Sequence, residues 1–469
     1  MTWHEAVEDQ DRLLVSGVLL AFALLALLTW VGVSTGTLAL AGLAIVTLVV
    51  SQLEAREDPG RVRWVWLAVL ALDAGFLYAW IAETGLAGAV IFALAVGIFV
   101  GGWRLEDHYE ANNWIRLGAL VLGTLVLLGG NNWAGEIPWQ SLAFTLITVF
   151  TFAVFAVGLN LEYGFGGLIN FGHVAFMALG AYTIVLLAEL GGFWATQLGV
   201  FVAFFAAMAV AAVAGLLLAL PAIRLREDYL AIVTIAAAEI LRRVLLNEGE
   251  LTHGAHGVTL NSSRRPAVLE AVETIPLLGG QLVSGLESFA AFLDFTGSPY
   301  LMVLFFIALA ITAVLLVLVE RLVESPWGRV VEAIREDEDA VRALGVNPTV
   351  YKLQVFALGS AVAAAAGALW AWQLTFVVPG HFEPLRTFWA WMMIVIGGVA
   401  NNKGAIAGAF LFWTIWSLTR GLGFLTTYGL DGSQIAAISP MVLGLMFVAF
   451  MLVKPEGLFG DKEELELVD

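Results

Sequence analysis

The chain has no cysteine among its 469 residues. Disulfides, thiol catalysis and Cys-ligated metal are thereby excluded. Charge is scarce: Asp, Glu, Lys and Arg make up 13% of the sequence, where a soluble domain carries about 25%. Positive charge is scarcer still, with 22 Lys and Arg against 39 Asp and Glu and a net charge of −17. An acidic balance does not favour nucleic acid or anionic lipid headgroups. It suits a protein kept in very high salt, so a halophilic source is expected. None of Lys352, Lys403, Lys454 and Lys462 follows a Gly-x-x-x-x-Gly pattern, and a nucleotide-binding P-loop is missing. No HExxH or EF-hand loop is present, and His253 and His256 read as a solvated loop pair. The expectation is a chain that binds no metal or cofactor and catalyses no reaction.

What is present is apolar surface, 60% of the residues. It lies in continuous runs rich in Leu, Ala, Val and Gly, not in the short alternating segments of a β-barrel. The expected fold class is therefore all-α and polytopic, a helical bundle in a membrane. Apolar stretches fall near 13–33, 37–53, 62–82, 84–103, 114–130, 138–159, 165–190, 193–220, 229–246, 298–319, 350–376, 385–400, 404–420 and 433–453. The first follows acidic Glu5 to Arg12 and reads as a retained span, not a cleaved signal. The 165–190 stretch is full of glycine, and 229–246 and 385–400 are short; each is a candidate for a re-entrant or broken helix.

If all these stretches cross and the N-terminus is cytoplasmic, most Lys and Arg fall on the cytoplasmic side, as the positive-inside pattern requires. Both termini are then cytoplasmic in a multi-pass cell-membrane protein. Arg264 and Arg265 fall outside in a long loop, and Arg386 and Arg420 are exceptions. The organisation expected is extra spans over 1–108, about four in number, and a core over 109–455 of about ten spans. The core carries an external loop at 247–297 and a charged cytoplasmic loop at 320–349, and an acidic tail follows over 456–469. Glycine-rich stretches at 164–180 and 397–408 are candidate counterparts in two halves of an inverted repeat.

The 320–349 loop carries the most information. Ser325 followed by Pro326 starts a helix, with a hydroxyl cap and then a residue that needs no N–H. Ile334, Val341 and Leu344 recur at helical spacing, Gly345 can close the helix in a left-handed conformation, and Asn347–Pro348 opens the next. A single amphipathic helix pinned between two spans is expected. It would lie on the membrane surface or dock a cytoplasmic partner.

The wording of this segment, SPWGRVVEAIREDEDAVRALGVNPTVYKLQVFALGSAVAAAAGAL, resembles the signature loop of ABC-importer permeases, and more closely the LivM-type branched-chain amino acid permeases. Further stretches match in order: GLNLEYGFGGLINFGHVAFMALGAY from Gly158, RLREDYLAIVTIAAAEILR from Arg224, LTHGAHGV from Leu251, and KPEGLFG from Lys454. The resemblance covers residues 114–460. Departures are Glu162, where the family usually has an apolar residue, and His253 and His256 in place of Gly and Asn.

The resemblance implies an ABC-importer permease bundle. It also implies a coupling helix seated on an ATPase subunit through Ser325, Arg329, Glu332, Ala333, Ile334, Arg335, Asp337, Val341, Leu344 and Gly345. The implied partners are two ATPase subunits that use ATP and Mg, a sister permease, an external substrate-binding protein, a small-molecule substrate and the surrounding lipid, with no nucleic acid. The substrate class implied is branched-chain amino acids, with urea, amides or other amino acids as near alternatives. A stand-alone secondary transporter or channel is the reading from a different class.

Within the spans, Asn160, Asn170 and His173 can offer hydrogen bonds to a solute where glycine bends the backbone, or can simply join helices. Glu239 is a further pathway candidate, but its spacing from Arg242 and Arg243 suits a structural ion pair. Asp73 lies outside the family core and is given no role. Gly404 and Gly408 form a small-xxx-small pattern for close helix packing.

Overall fold

The computed structural model describes residues 139–223, 227–260, 299–420, 431–453 and 455–460. The expected N-terminal spans with Asp73, the 114–130 stretch, Arg224, Arg226, Arg264, Arg265, Lys454 and the tail beyond residue 460 lie outside the described residues.

Helix α1, Trp139–Asn160, passes directly into a π-helical turn, Leu161–Phe165. A loop leads to α2, Val174–Leu190, then α3, Gln197–Ala222, and α4, Glu227–Asn247. Strand β1 is only Val258–Thr259. Helix α5, Pro299–Val323, precedes two short helices, α6, Pro326–Glu336, and α7, Glu338–Ala343. Then come α8, Pro348–Leu374, and β2, Phe376–Val377, which pairs antiparallel with β1. The chain continues through α9, Leu385–Gly397, α10, Asn402–Arg420, and α11, Gly432–Val453. Among the described residues, 139–411 with 456–460 form one compact unit, and 412–453 belong to a second.

Five stretches among the described residues are long and apolar enough to cross a membrane: Ser141–Phe165, Leu198–Ala222, Tyr300–Val323, Pro348–Leu374 and Gly432–Leu452. The doubtful stretches resolve differently. Residues 165–190 are a loop followed by α2, an apolar helix of 17 residues. The 229–246 stretch is a helix of 21 residues, but charged Glu239, Arg242 and Arg243 interrupt its apolar face. The 385–400 stretch yields a helix of 13 residues, about 20 Å long and short of a hydrocarbon core of about 30 Å. It meets α10 at 116°, so it reads as a broken span and not as a full crossing.

Helix α8 is the axis of the first unit, with 94% of its most apolar window buried, against 22% for α3. It packs against α1, α2 and α3. Its Ala363–Ala366 run and Gly367 keep its surface low, which lets neighbouring backbones approach. At the far end from the 325–347 loop, Tyr300 Oη donates to the Trp372 carbonyl at 2.7 Å, and Gln373 Nε2 donates to the Phe144 carbonyl at 2.8 Å. The second bond holds the start of α1 beside the end of α8, so the two run antiparallel. Phe201, Phe205, Val213, Leu217 and Leu220 of α3 remain exposed, as a lipid-facing surface would.

Candidate coupling and translocation site

The 325–347 loop begins as expected. Ser325 Oγ accepts from the backbone N–H of Trp327 at 3.2 Å and of Gly328 at 3.4 Å, with Pro326 at the first helical position. The expected single helix is in fact two. Asp337 is extended, ends α6, and caps α7 by accepting from Ala340 N at 2.9 Å. A carboxylate there captures free N–H groups better than it tolerates a helix interior, and this breaks the helix. Gly345 closes α7 with φ of 87°, and Asn347 Oδ1 caps α8 at Thr349.

Val331, Ile334 and Val341 face inward, whereas Leu344, expected on the same apolar face, lies just past the end of α7 and is 84% exposed. Arg329 is exposed and donates to the Glu324 carbonyl, while Glu332 and Ala333 are half-buried. Trp327 Nε1 donates to Gln354 at 2.7 Å, and Glu338 bridges Lys352 and Arg342, so both short helices are tied to α8.

Arg335 reaches the other way. Its guanidinium donates to the carbonyl of Gly164 in the π-helical turn. A π turn leaves backbone groups out of the ordinary ladder, so a carbonyl there is free for an outside donor. A polar recess between the turn and the loop is lined by Gly166, Gly167, Arg335, Glu338 and Lys352.

Behind the turn lies a buried polar cluster. Asn170 Nδ2 donates to Glu162 Oε2 at 2.7 Å, and His173 Nδ1 lies 3.0 Å from the same oxygen. All three residues are fully buried. A buried carboxylate is tolerated only with such partners. Gly359 of α8 leaves room for it, since a β-carbon there would lie 2.4 Å from the Glu162 Cγ. Asn160 faces the break between α9 and α10. Its Oδ1 accepts from Ala400 N and its Nδ2 donates to Asn402 Oδ1, both at 3.0 Å. Ala400 has φ of 60°, a left-handed conformation uncommon for a residue with a β-carbon, and this bond holds it. Asn402 and Lys403 both reach Glu320 at the end of α5.

Residues 455–460 of the closing motif also have a place here. Leu458 N and Phe459 N donate to the carbonyls of Ile396 and Gly397, groups that a helix C-terminus leaves free. Gly404 and Gly408 bring α10 against the backbone of α9 at Gly397 and Met393, so the small-residue pattern packs within this chain.

Asn160, Asn170 and His173 are thus gathered at one end of the bundle, beside Arg335. Glu239 is not among them. It takes Arg242 at 2.7 and 2.8 Å and Arg243 at 2.7 Å, as its spacing suggested. Sequence reasoning did not select Asn402 or Glu320. Asn402 stands in the second glycine-rich stretch, which was the available signal, and Glu320 at the end of an apolar run had none.

Over residues 141–453 the chain matches the family described as branched-chain amino acid transport system / permease component. It is 33% identical over 309 residues to the high-affinity branched-chain amino acid transport system permease protein LivM of Escherichia coli, covering 66% of this chain and 67% of that protein. It is 25% identical over 339 residues to the probable LivM of Methanocaldococcus jannaschii, covering 66% and 90%. It is 26% identical over 317 residues to LivH of Salmonella typhimurium, covering 67% and 92%. No solved structure matches it. With its membrane-length apolar helices and this match over two-thirds of its length, the chain belongs to the branched-chain amino acid transport permease family.

Proposed function

We propose that this chain is one transmembrane subunit of an ATP-driven importer and that it carries branched-chain amino acids inward. Two ATPase subunits that bind ATP and Mg, a sister permease and an external binding protein complete the machine. The end bearing α6 and α7 then faces the cytoplasm, as do both termini.

The observation that carries this reading is the bond from Arg335 to the Gly164 carbonyl. It joins a surface helix to a break in a buried span. When the ATPase pair closes, displacement of α6 reaches the π turn first. From there Asn160 passes it to the α9–α10 break, and Glu162 passes it to the start of α2. A packed interior with two arrangements converts such a shift into a change of access. No proton relay is needed, and the solute is moved by alternation of the bundle.

The test is deletion of residues 328–345 from the chain, reconstituted with its ATPase subunits, sister permease and binding protein. The expected result is a bundle that still inserts but no longer retains the ATPases or takes up leucine. Ion-driven uptake by the isolated chain without ATP would instead mark a stand-alone carrier.

A further inference from the structure

Arg386 breaks the positive-inside pattern, and its surroundings give the reason. It opens α9 on the side of the bundle away from the coupling loop. Its guanidinium carbon lies 5.2 Å from the centroid of the Trp370 ring and 5.1 Å from that of Trp389. Two aromatic faces hold the cation. Among the described residues no carboxylate stands within ion-pairing distance of it, and nearby Glu383 is exposed.

More unsatisfied polar groups gather around it. Trp370 Nε1 and His381 Nδ1 are buried with no hydrogen-bond partner among the described residues, and their rings are 6.3 Å apart. Tyr182 Oη is likewise buried and unpartnered, with its ring 6.0 Å from Phe382, which in turn flanks His381. Trp370 is 6% exposed and Tyr182 3%. Phe152 lies 5.5 Å from Trp370 and 6.2 Å from Trp389. Arg386 itself keeps partial exposure.

A guanidinium and an indole N–H are donors only and cannot satisfy one another. Buried donors left without acceptors are destabilising. What this cluster lacks is a negatively charged acceptor, and a planar two-oxygen group matches the guanidinium fork. We infer that Arg386 and the Trp370 indole N–H form a carboxylate-binding station inside the bundle that takes the α-carboxylate of the amino-acid substrate. Trp389, half-buried, offers the substrate's side chain an apolar surface. This inference rests on the permease reading and names where in this chain the solute is held.

The complete importer in vesicles, loaded with leucine through its binding protein, tests it. Arg386→Gln lowers ATP-driven uptake by about tenfold or more, the loss of one charged hydrogen-bonding group. Membrane insertion and subunit assembly persist. Arg386→Lys falls between, and Trp370→Phe, which keeps the ring and removes the N–H, costs a few-fold. A second readout needs no variant: modification of Arg386 by phenylglyoxal in the purified wild-type complex, followed by mass spectrometry. Leucine slows it, while leucinamide, which has no carboxylate, does not. Wild-type uptake by Arg386→Gln, or equal modification with and without leucine, overturns the inference. Protection by inorganic phosphate equal to that by leucine also overturns it, as an anion or lipid-headgroup site. Absence of ATP-driven uptake by the wild-type complex would sink the permease reading itself, and the protection assay would still decide the site.

Discussion

Asn160 and Asn402 stand 242 positions apart in the sequence and share a buried hydrogen bond of 3.0 Å. The same Asn160 side chain also holds the backbone of Ala400. One residue therefore latches the end of α1 to the break between α9 and α10, beside the turn that Arg335 grips.

Replacing Asn160 by Ala leaves the Ala400 N–H and the Asn402 side-chain Oδ1 without their Asn160 partner in the interior. The expected loss is about 1–3 kcal/mol, read as a lower midpoint of thermal unfolding. Transport is expected to fall further than ATP hydrolysis, so the ratio of solute moved to ATP consumed should drop. An unchanged ratio would count against Asn160 as a link between the two breaks.

Glu162 carries a carboxylate into the interior. Glu162→Leu strands Asn170 Nδ2 and His173 Nδ1, and destabilises by about 1–3 kcal/mol despite being apolar. The double-mutant cycle of Glu162→Leu with His173→Phe should show a coupling of about 0.5 kcal/mol or more, because the two share one hydrogen bond. Strict additivity would show that they act separately.

Arg335→Ala removes the guanidinium that reaches Gly164. Insertion and ATPase association are expected to survive, since Val331, Ile334 and Val341 still anchor the loop. Uptake of leucine should fall by about tenfold, the effect of losing a charge-assisted bond at a moving joint. Co-purification of the ATPases together with wild-type uptake would place the joint elsewhere.

Leu344 and Ile334 separate docking from folding. Leu344 is 84% exposed, so Leu344→Ser should change stability by no more than about 0.5 kcal/mol. It should weaken ATPase retention on a pull-down. Ile334→Ala, at a buried position, should instead lower the unfolding midpoint, by a change of about 2–5 kcal/mol. The opposite pairing of effects would show that the exposed face of α7 is not a docking surface.

Much of this was legible in local chemistry. The Ser325, Asn347 and Gly345 signals each concern a few adjacent residues, and each is realised as its residue type requires. The Glu239 pair with Arg242 and Arg243 follows from helix spacing alone. The break at Asp337 was missed because helical periodicity continues across it, and a single side chain bonding to Ala340 N overrides the pattern.

By itself the order of residues determined that this chain is a bundle of membrane helices with a capped loop between two of them. Long apolar runs have one stable arrangement in lipid, and caps act within one turn. Only the tertiary structure decided which polar residues meet. Asn160 joins Asn402, Glu162 is held by Asn170 and His173, Arg335 reaches Gly164, and Arg386 is placed between Trp370 and Trp389. The physical reason is that a buried polar group must find its partner wherever the packing of helices brings one, and sequence distance places no limit on that.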